Sequence, residues 1–338
     1  MNSLFICATP LQCMIAEKIM DTKSMDSSNC LLFSYTKNRN KKLEYYYTKL
    51  SNRCSKSKLY LQNSPFPFYL LEAKKYFASL DYDNLYFANI NNIYPMLALS
   101  RSETANVYTF DDGTGNLVSS GVLSQAYEFP EAAKLAYFLF GNRYSVSKAR
   151  ARTKGHYTIY PSITNCVSEN TIPISLYQQP ARCATKSSCS IILGTVFSEL
   201  FDTAQCPTVQ QNIVELSQKI KGDVFYISHP RGEQIEGMQS IEIFSDLIAE
   251  DIILGLFNRY NRIDLYGFCS TTQVNLLKVK GIRNIFLFAS GGQSSMENLR
   301  RLSREISGPT SYFVNLDNGE FMPRTLTELT RQEDRDDS

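Results

Sequence analysis

Short apolar runs alternate along the chain with longer stretches whose apolar residues recur every three or four positions. In the first half the runs of strand length are Leu4–Ala8, Cys30–Tyr35, Leu59–Leu61, Asn84–Ala88 and Asn106–Phe110. Between them, helical spacing is carried by Met14, Ile15, Ile19 and Met20 after Pro10, by the stretch holding Tyr45-Tyr46-Tyr47, by Phe66–Leu80 and by Ile93–Ser100. Ala132–Leu139 predicts a further helix, Ser145–Lys154 a basic loop or helix end, and His156–Tyr160 a strand-like piece. The polar segment from about Pro161 to Ser188, with Pro173 and Pro180, reads as a linker. A second series follows, with strands at Ser190–Leu193, Val224–Ile227, Ile241–Phe244, Ile263–Phe268, Arg283–Ala289 and Tyr312–Leu316. Its helices are Thr208–Ile220, one from Ser245 or Asp246 to Phe257, one from Gln273, and Glu297–Ile306. Alternation in both halves predicts an α/β protein with two parallel, doubly wound sheets, residues 1–185 and 186–338, facing each other across a cleft.

Composition narrows the function classes. A chain of 338 residues suits two domains. With 43% hydrophobic and 20% charged residues it is a folded protein, and a net charge of +2 gives no general electrostatic case for a nucleic-acid partner. No run of about 18 apolar residues predicts a transmembrane helix. Met1–Ile6 lacks the basic n-region of a signal peptide, and nine cysteines without CxxC pairs fit reduced thiols in the cytoplasm rather than a disulfide framework or a zinc site. GxGxxG, GxxxxGK[ST] and HExxH are absent, so the expectation is no bound cofactor and no metal.

The polar residues at strand ends carry the candidate chemistry. Val224–Ile227 stops at Ser228-His229-Pro230-Arg231, because Pro230 has no N–H for a sheet ladder. An imidazole and a guanidinium are thereby set at the carboxyl end of a strand, where open α/β sheets bind ligands. His229 is one of only two histidines, and a group that delivers a proton near neutral pH would be sought there first. Asn106–Phe110 runs into Asp111-Asp112-Gly113-Thr114-Gly115-Asn116, where adjacent carboxylates raise each other's pKa and can tune one as a base; a plain Asp-Gly turn would look the same. Thr9 and Gln12 open a helix after the first strand, as ligand contacts or as a cap.

Taken together, Phe110–Asn116 and Ser228–Arg231 resemble the bacterial sialyltransferases of glycosyltransferase family fifty-two. The resemblance extends through Pro10-Leu11-Gln12, Asn38-Arg39-Asn40, His156-Tyr157-Thr158-Ile159, Ile191–Gly194, Glu250-Asp251-Ile252 and the Ser270 loop. It implies a GT-B architecture of two Rossmann-like domains and an inverting, metal-independent transfer of sialic acid from CMP-sialic acid. The implied acceptor is a terminal galactose of a lipopolysaccharide, O-antigen or lipooligosaccharide, with α2,3 linkage expected. Gln12, Asn38 and Gly113 would lie on the acceptor side. A protonated His229, with Arg231, would ease CMP away. Ser270 and Thr271, at a strand-to-helix turn, would hold the phosphate, and Glu250 the ribose hydroxyls. Gly194, Pro230 and Cys269 would line the cytidine pocket.

The chain departs from the family pattern at the base. A related enzyme has an aspartate a few residues after the Leu-Gly turn; here Gly194-Thr195-Val196-Phe197 puts Phe197 in that place. The preferred base is Asp112, with Asp111, Glu199 and Asp202 in reserve; Asp111 could instead hold the turn. A homodimer is expected from the relatives. The location is expected to be cytoplasmic, with the basic loops Lys37–Lys42 and Lys148–Lys154 able to touch the inner membrane face or simply be solvated.

Overall fold

The computed structural model describes residues 2–25, 29–35, 41–62, 64–113, 129–161, 163, 165, 167–177, 185–232, 235–238, 241–242, 246–317, 319, 321 and 323–328. The chain forms two compact units, Met1–Leu176 and Tyr177–Ser338.

In the first unit, β1 (Ser3–Cys7) is buried along its whole length, which explains its unbroken apolar sequence: helices cover both faces of a parallel sheet. Helix α1 (Pro10–Thr22) follows, with Thr9 as N-cap and Pro10 in the first turn, where its missing N–H is harmless. The unit continues through β2 (Cys30–Tyr35), α2 (Lys41–Ser51), β3 (Lys56–Leu61), α3 (Tyr69–Ala78), β4 (Asn84–Phe87), α4 (Ile93–Arg101) and β5 (Asn106–Phe110). Helices α5 (Glu131–Leu139) and α6 (Val146–Ala151) precede β6 (Thr153–Thr158) and β7 (Thr171–Pro173). The sheet order is β3-β2-β1-β4-β5-β6-β7, every pair parallel. Leu4, Ile6, Leu32, Leu85, Phe87 and Val107 supply strand residues to one core, packed against Leu70, Phe77, Met96 and Leu97 of α3 and α4.

The second unit repeats the plan with β8 (Lys186–Leu193), α7 (Phe197–Leu200), α8 (Cys206–Lys219), β9 (Asp223–Ile227), β10 (Ile241–Glu242), α9 (Ala249–Gly255), β11 (Tyr260–Gly267), α10 (Thr271–Asn275), β12 (Ile282–Phe288), α11 (Ser294–Ile306) and β13 (Ser311–Asn315). Its order is β10-β9-β8-β11-β12-β13, again all parallel. Each unit's first strand thus lies between its second and its fourth. The chain reverses direction across the sheet there, and a crevice opens at the carboxyl ends of the strands.

Several expectations are corrected. The stretch read as a linker contains β7, and β8 begins at Lys186, four residues before the predicted start, because its polar first residues still pair with β11. Ser145–Lys154 contains a true helix, α6, capped by the Ser145 hydroxyl accepting from Lys148 N–H. The helix predicted from Ser245 or Asp246 starts at Ala249. The helix predicted from Gln273 starts at Thr271. Thr114, Gly115, Asn116, Asn38 and the loop residues 37–40 lie outside the described residues.

Candidate active site

At the end of β5 two neighbouring carboxylates meet different surroundings. Asp111 is fully buried. It accepts from His156 Nε2 at 2.8 Å, Thr158 Oγ1 at 2.9 Å and the Ile159 N–H at 2.7 Å. A carboxylate only accepts, so Nε2 of His156 carries a proton; the other ring nitrogen meets Thr109 Oγ1 at 2.8 Å. The side chain of Asp111 therefore ties β5 to β6 and to the chain beyond it, with both carboxylate oxygens engaged. His156 is the buried half of that device.

Asp112 is half-buried. Its Oδ1 accepts from Gln12 Nε2 at 2.6 Å. Burial raises its pKa above the usual carboxylate value, the Gln12 hydrogen bond opposes that, and the Asp111 charge adds to it. A carboxyl held up in this way is a better proton acceptor than an exposed one. Gly113 follows with φ of 63°, a conformation that suits glycine and turns the chain sharply behind the carboxylate.

In the second unit, β9, β8 and β11 are adjacent, so the turns after them lie side by side on one edge of the sheet. The turns after β8 and β9 are in van der Waals contact through glycine. A Cβ on Gly194 would stand 2.5 Å from the Tyr226 hydroxyl and 2.8 Å from the His229 nitrogen; one on Gly232 would stand 2.6 Å from the Thr195 carbonyl oxygen. Gly194 N–H also donates to the Ile227 carbonyl at 2.8 Å. Gly194 is thus the residue that lets the His229 turn settle against β8.

His229 is half-buried, and its Nδ1 accepts from the Arg231 N–H at 3.2 Å. A neutral ring with an accepting Nδ1 carries its hydrogen on Nε2. Burial and the Arg231 charge lower its pKa, while Glu199 raises it. Burial and the Arg231 charge thus favour the neutral ring, and the Arg231 N–H on Nδ1 leaves Nε2–H as its donor. Arg231 is exposed and its guanidinium is gripped by Glu199, at 2.6 Å and 3.3 Å to the two carboxylate oxygens. That ion pair is exposed and engages both carboxylate oxygens of Glu199. Asp202 is exposed at the approach to α8, its carbonyl accepting from Gln205 and Cys206 N–H.

The turn after β11 begins with Cys269, a buried non-glycine residue at φ of 51°, whose thiol burial pushes its pKa up to about 12. Backbone of this kind in a non-glycine residue is uncommon and is held by its surroundings. Ser270 forms a reciprocal cap with Gln273: its Oγ accepts from Gln273 N–H at 3.3 Å while its own N–H donates to Gln273 Oε1 at 3.2 Å. The Ser270 oxygen is thus a cap, and its hydroxyl hydrogen retains the capacity to donate. Glu250, in the first turn of α9, is buried, and its pKa is raised by that burial. Its Oε1 accepts from Asn275 Nδ2 at 2.7 Å, which fastens α9 to α10 beside the Ser270 turn.

The structure brings together Gly194, His229, Arg231 and Glu199 in one cluster, and Glu250, Ser270 and Thr271 in another on the same sheet edge. Gln12 and Asp112 pair in the first unit. The role of Gln273 was visible as the Ser-x-x-Gln of a capping box but was not read, and the pairing of His156 with a residue 45 positions away left no local trace. Phe197 is buried and packs edge-on against Phe268 at 6.3 Å, as Phe201 does at 5.5 Å. Among the described residues no three His, Cys, Asp or Glu side chains are grouped as a metal would require.

Glycosyltransferase family 52 matches residues 28–288. The N-acetyllactosaminide alpha-2,3-sialyltransferase of Haemophilus influenzae is 29% identical over 298 residues, 85% of this chain and 92% of that protein. The CMP-N-acetylneuraminate:beta-galactoside alpha-2,3-sialyltransferase of Pasteurella multocida is 31% identical over 284 residues, 81% of this chain and 87% of that protein. Among solved structures, the UDP-GlcNAc 2-epimerase of Neisseria meningitidis bound to UDP-GlcNAc superimposes with a TM-score of 0.50 at 10% identity, covering 100% of this chain and 92% of that one. The last likeness speaks for the fold alone: two Rossmann-like units in one chain, the GT-B class.

Proposed function

The chain belongs to glycosyltransferase family 52, and from that premise we propose that it transfers sialic acid from CMP-sialic acid to a terminal galactose, forming an α2,3 linkage. The observation that carries the proposal is the 31% identity over 81% of this chain to a CMP-N-acetylneuraminate:beta-galactoside alpha-2,3-sialyltransferase. The galactose would end a lipopolysaccharide, O-antigen or lipooligosaccharide chain.

In the proposed reaction the galactose hydroxyl oxygen attacks the anomeric carbon as the bond from that carbon to the phosphate oxygen breaks. The configuration inverts, and CMP departs with the bonding electrons. Asp112 takes the hydroxyl proton. His229 Nε2–H donates to the departing phosphate; binding of that anion raises the affinity of the ring for a proton, so the neutral imidazole of the free protein can become a charged donor in the complex. Arg231 offers its charge in competition with Glu199. The Ser270 and Thr271 hydroxyls add neutral donors, and Glu250 accepts from the ribose. No metal or cofactor takes part in the proposed scheme, because CMP carries one phosphate and these side chains supply its donors. Exposed Leu135, Phe138 and Leu139 on α5, beside Lys134 and Lys148, support peripheral contact with an anionic membrane face.

The test is incubation with CMP-sialic acid and lactose in the presence of EDTA, with the product linkage read by NMR. An α2,3-sialyl lactoside is expected. Absence of a sialylated product with every galactoside tried would contradict the proposal and favour a different nucleotide-sugar donor or a sugar-binding protein without catalysis.

A further inference from the structure

We propose that Gln12 is the positioning residue that decides which oxygen of Asp112 takes the substrate proton; this rests on the reading of Asp112 as the base. The amide of Gln12 is held at both ends. Its Oε1 accepts from the Ala8 N–H at 2.7 Å, and its Nε2 donates to Asp112 Oδ1 at 2.6 Å. A backbone N–H can only donate, so it fixes the amide with the oxygen toward Ala8 and the NH2 toward Asp112. An amide NH2 can only donate in turn, so Oδ1 must accept. The Gln12 N–H takes one of the two lone pairs of Oδ1 and draws electron density toward that oxygen, which leaves Oδ2, with both lone pairs open, as the more basic position for an incoming proton.

The scaffold makes the amide a fixed point. Gln12 is 3% exposed and sits in the first turn of α1, where its own N–H donates to the Thr9 hydroxyl at 3.3 Å. The turn after β1 thereby reaches past β4 to the end of β5, and links the point where the sheet changes direction to the proposed base. Among the described residues the ionisable group set against Asp112 is Asp111, beside it on the same strand end, and behind Asp111 stands His156 of β6; α1 brings the neutral Gln12. Burial and Asp111 push Asp112 toward the protonated form, and the Gln12 hydrogen bond pulls it back. Its part is to keep the carboxylate ionised and aimed while burial keeps it basic.

The experiment compares pH profiles of kcat/KM for wild type, Gln12→Glu, Gln12→Met and Asp112→Asn. Gln12→Glu keeps the side-chain shape and an oxygen for the Ala8 N–H but replaces the donor by an acceptor; Gln12→Met removes both polar ends. A charge-assisted hydrogen bond lost from Asp112 moves the acid limb to higher pH by about one to two units in Gln12→Met, and further in Gln12→Glu, where two carboxyls share a proton. KM for CMP-sialic acid stays near wild type in both. An unmoved acid limb, or a uniform loss at every pH in a variant that melts like wild type, would overturn the proposal while leaving the base in place, provided Asp112→Asn is inactive. Activity retained in Asp112→Asn would remove the base reading itself, and the role of Gln12 with it. Should Gln12→Met fail to fold because Ala8 N–H lacks an acceptor, Gln12→Glu decides.

Discussion

One peptide bond separates a carboxylate that four donors hold in place, Asp111, with Asn165 Nδ2 at 3.4 Å the fourth, from one that Gln12 aims, Asp112. The two should respond to the same substitution in opposite ways. Asp111→Asn puts an NH2 among donors in a buried site and is expected to cost about 1–3 kcal/mol of stability, read from the denaturant midpoint. Asp112→Asn removes a group whose pKa is raised by burial. An unfolded aspartate titrates near ~3.9, the folded one higher, so wild-type stability is greatest below the unfolded value and falls as pH rises through the folded one. Asp112→Asn lacks that fall. Its midpoint should exceed that of wild type at pH 7, and the difference should shrink toward pH 4; a lower midpoint at pH 7 would contradict the assignment. His229 can be followed directly, since the chain has two histidines. Its NMR titration midpoint should lie below ~6.5 in the free protein and rise when CMP is added. At this scale the sequence showed which residue types end the strands but not their partners. Glu250, expected at the ribose hydroxyls, proves buried with its carboxylate on Asn275, and helical periodicity alone cannot show such a partner.

At the scale of elements, the His229 turn depends on a strand that is not its own. It settles against the end of β8 because Gly194 has no side chain. Gly194→Ala would place a methyl group against the His229 backbone nitrogen, and backbone cannot rotate aside as a side chain can. The expected result is a kcat reduced at least tenfold with a stability loss of about 1–3 kcal/mol; unchanged kinetics would show that the turn has room to spare. The strands themselves were legible from the sequence. β2, β4, β5 and β9 match the apolar runs to within a residue, because both faces of a parallel sheet are covered and the run is unbroken. Short elements were not. Helix α7 is a single turn, Phe197–Leu200, and β7 is three residues, Thr171–Pro173, too few for any periodicity. The polar start of β8 hid for a different reason: Lys186, Ser187 and Ser188 lie toward solvent at the amino end, and pairing with β11, not burial, makes them strand.

Across the whole molecule, two units share one plan, with the first strand between the second and the fourth in each sheet. That both sheets are parallel was legible in the repeated alternation of strand and helix, since connections between parallel strands require crossovers; the order of the strands was not. The roles proposed for the two units differ: the first supplies Asp112 and its orienting amide, the second the donors for CMP. Phe197 makes the difference sharper. At the position where the family resemblance placed an acidic base, this chain has a core aromatic packed on Phe268. A base is thus sought elsewhere, and Asp112, with burial and Gln12 acting on it, is the carboxylate whose surroundings fit. The measurement that bears most directly on this is CMP release from CMP-sialic acid, with and without a galactose-terminated acceptor, in wild type, Asp112→Asn, Asp202→Asn and His229→Asn. Acceptor-dependent release should fall by at least 100-fold in Asp112→Asn and in His229→Asn, and stay within about threefold of wild type in Asp202→Asn. An active Asp112→Asn beside an inactive Asp202→Asn would contradict the account and place the base in the second unit.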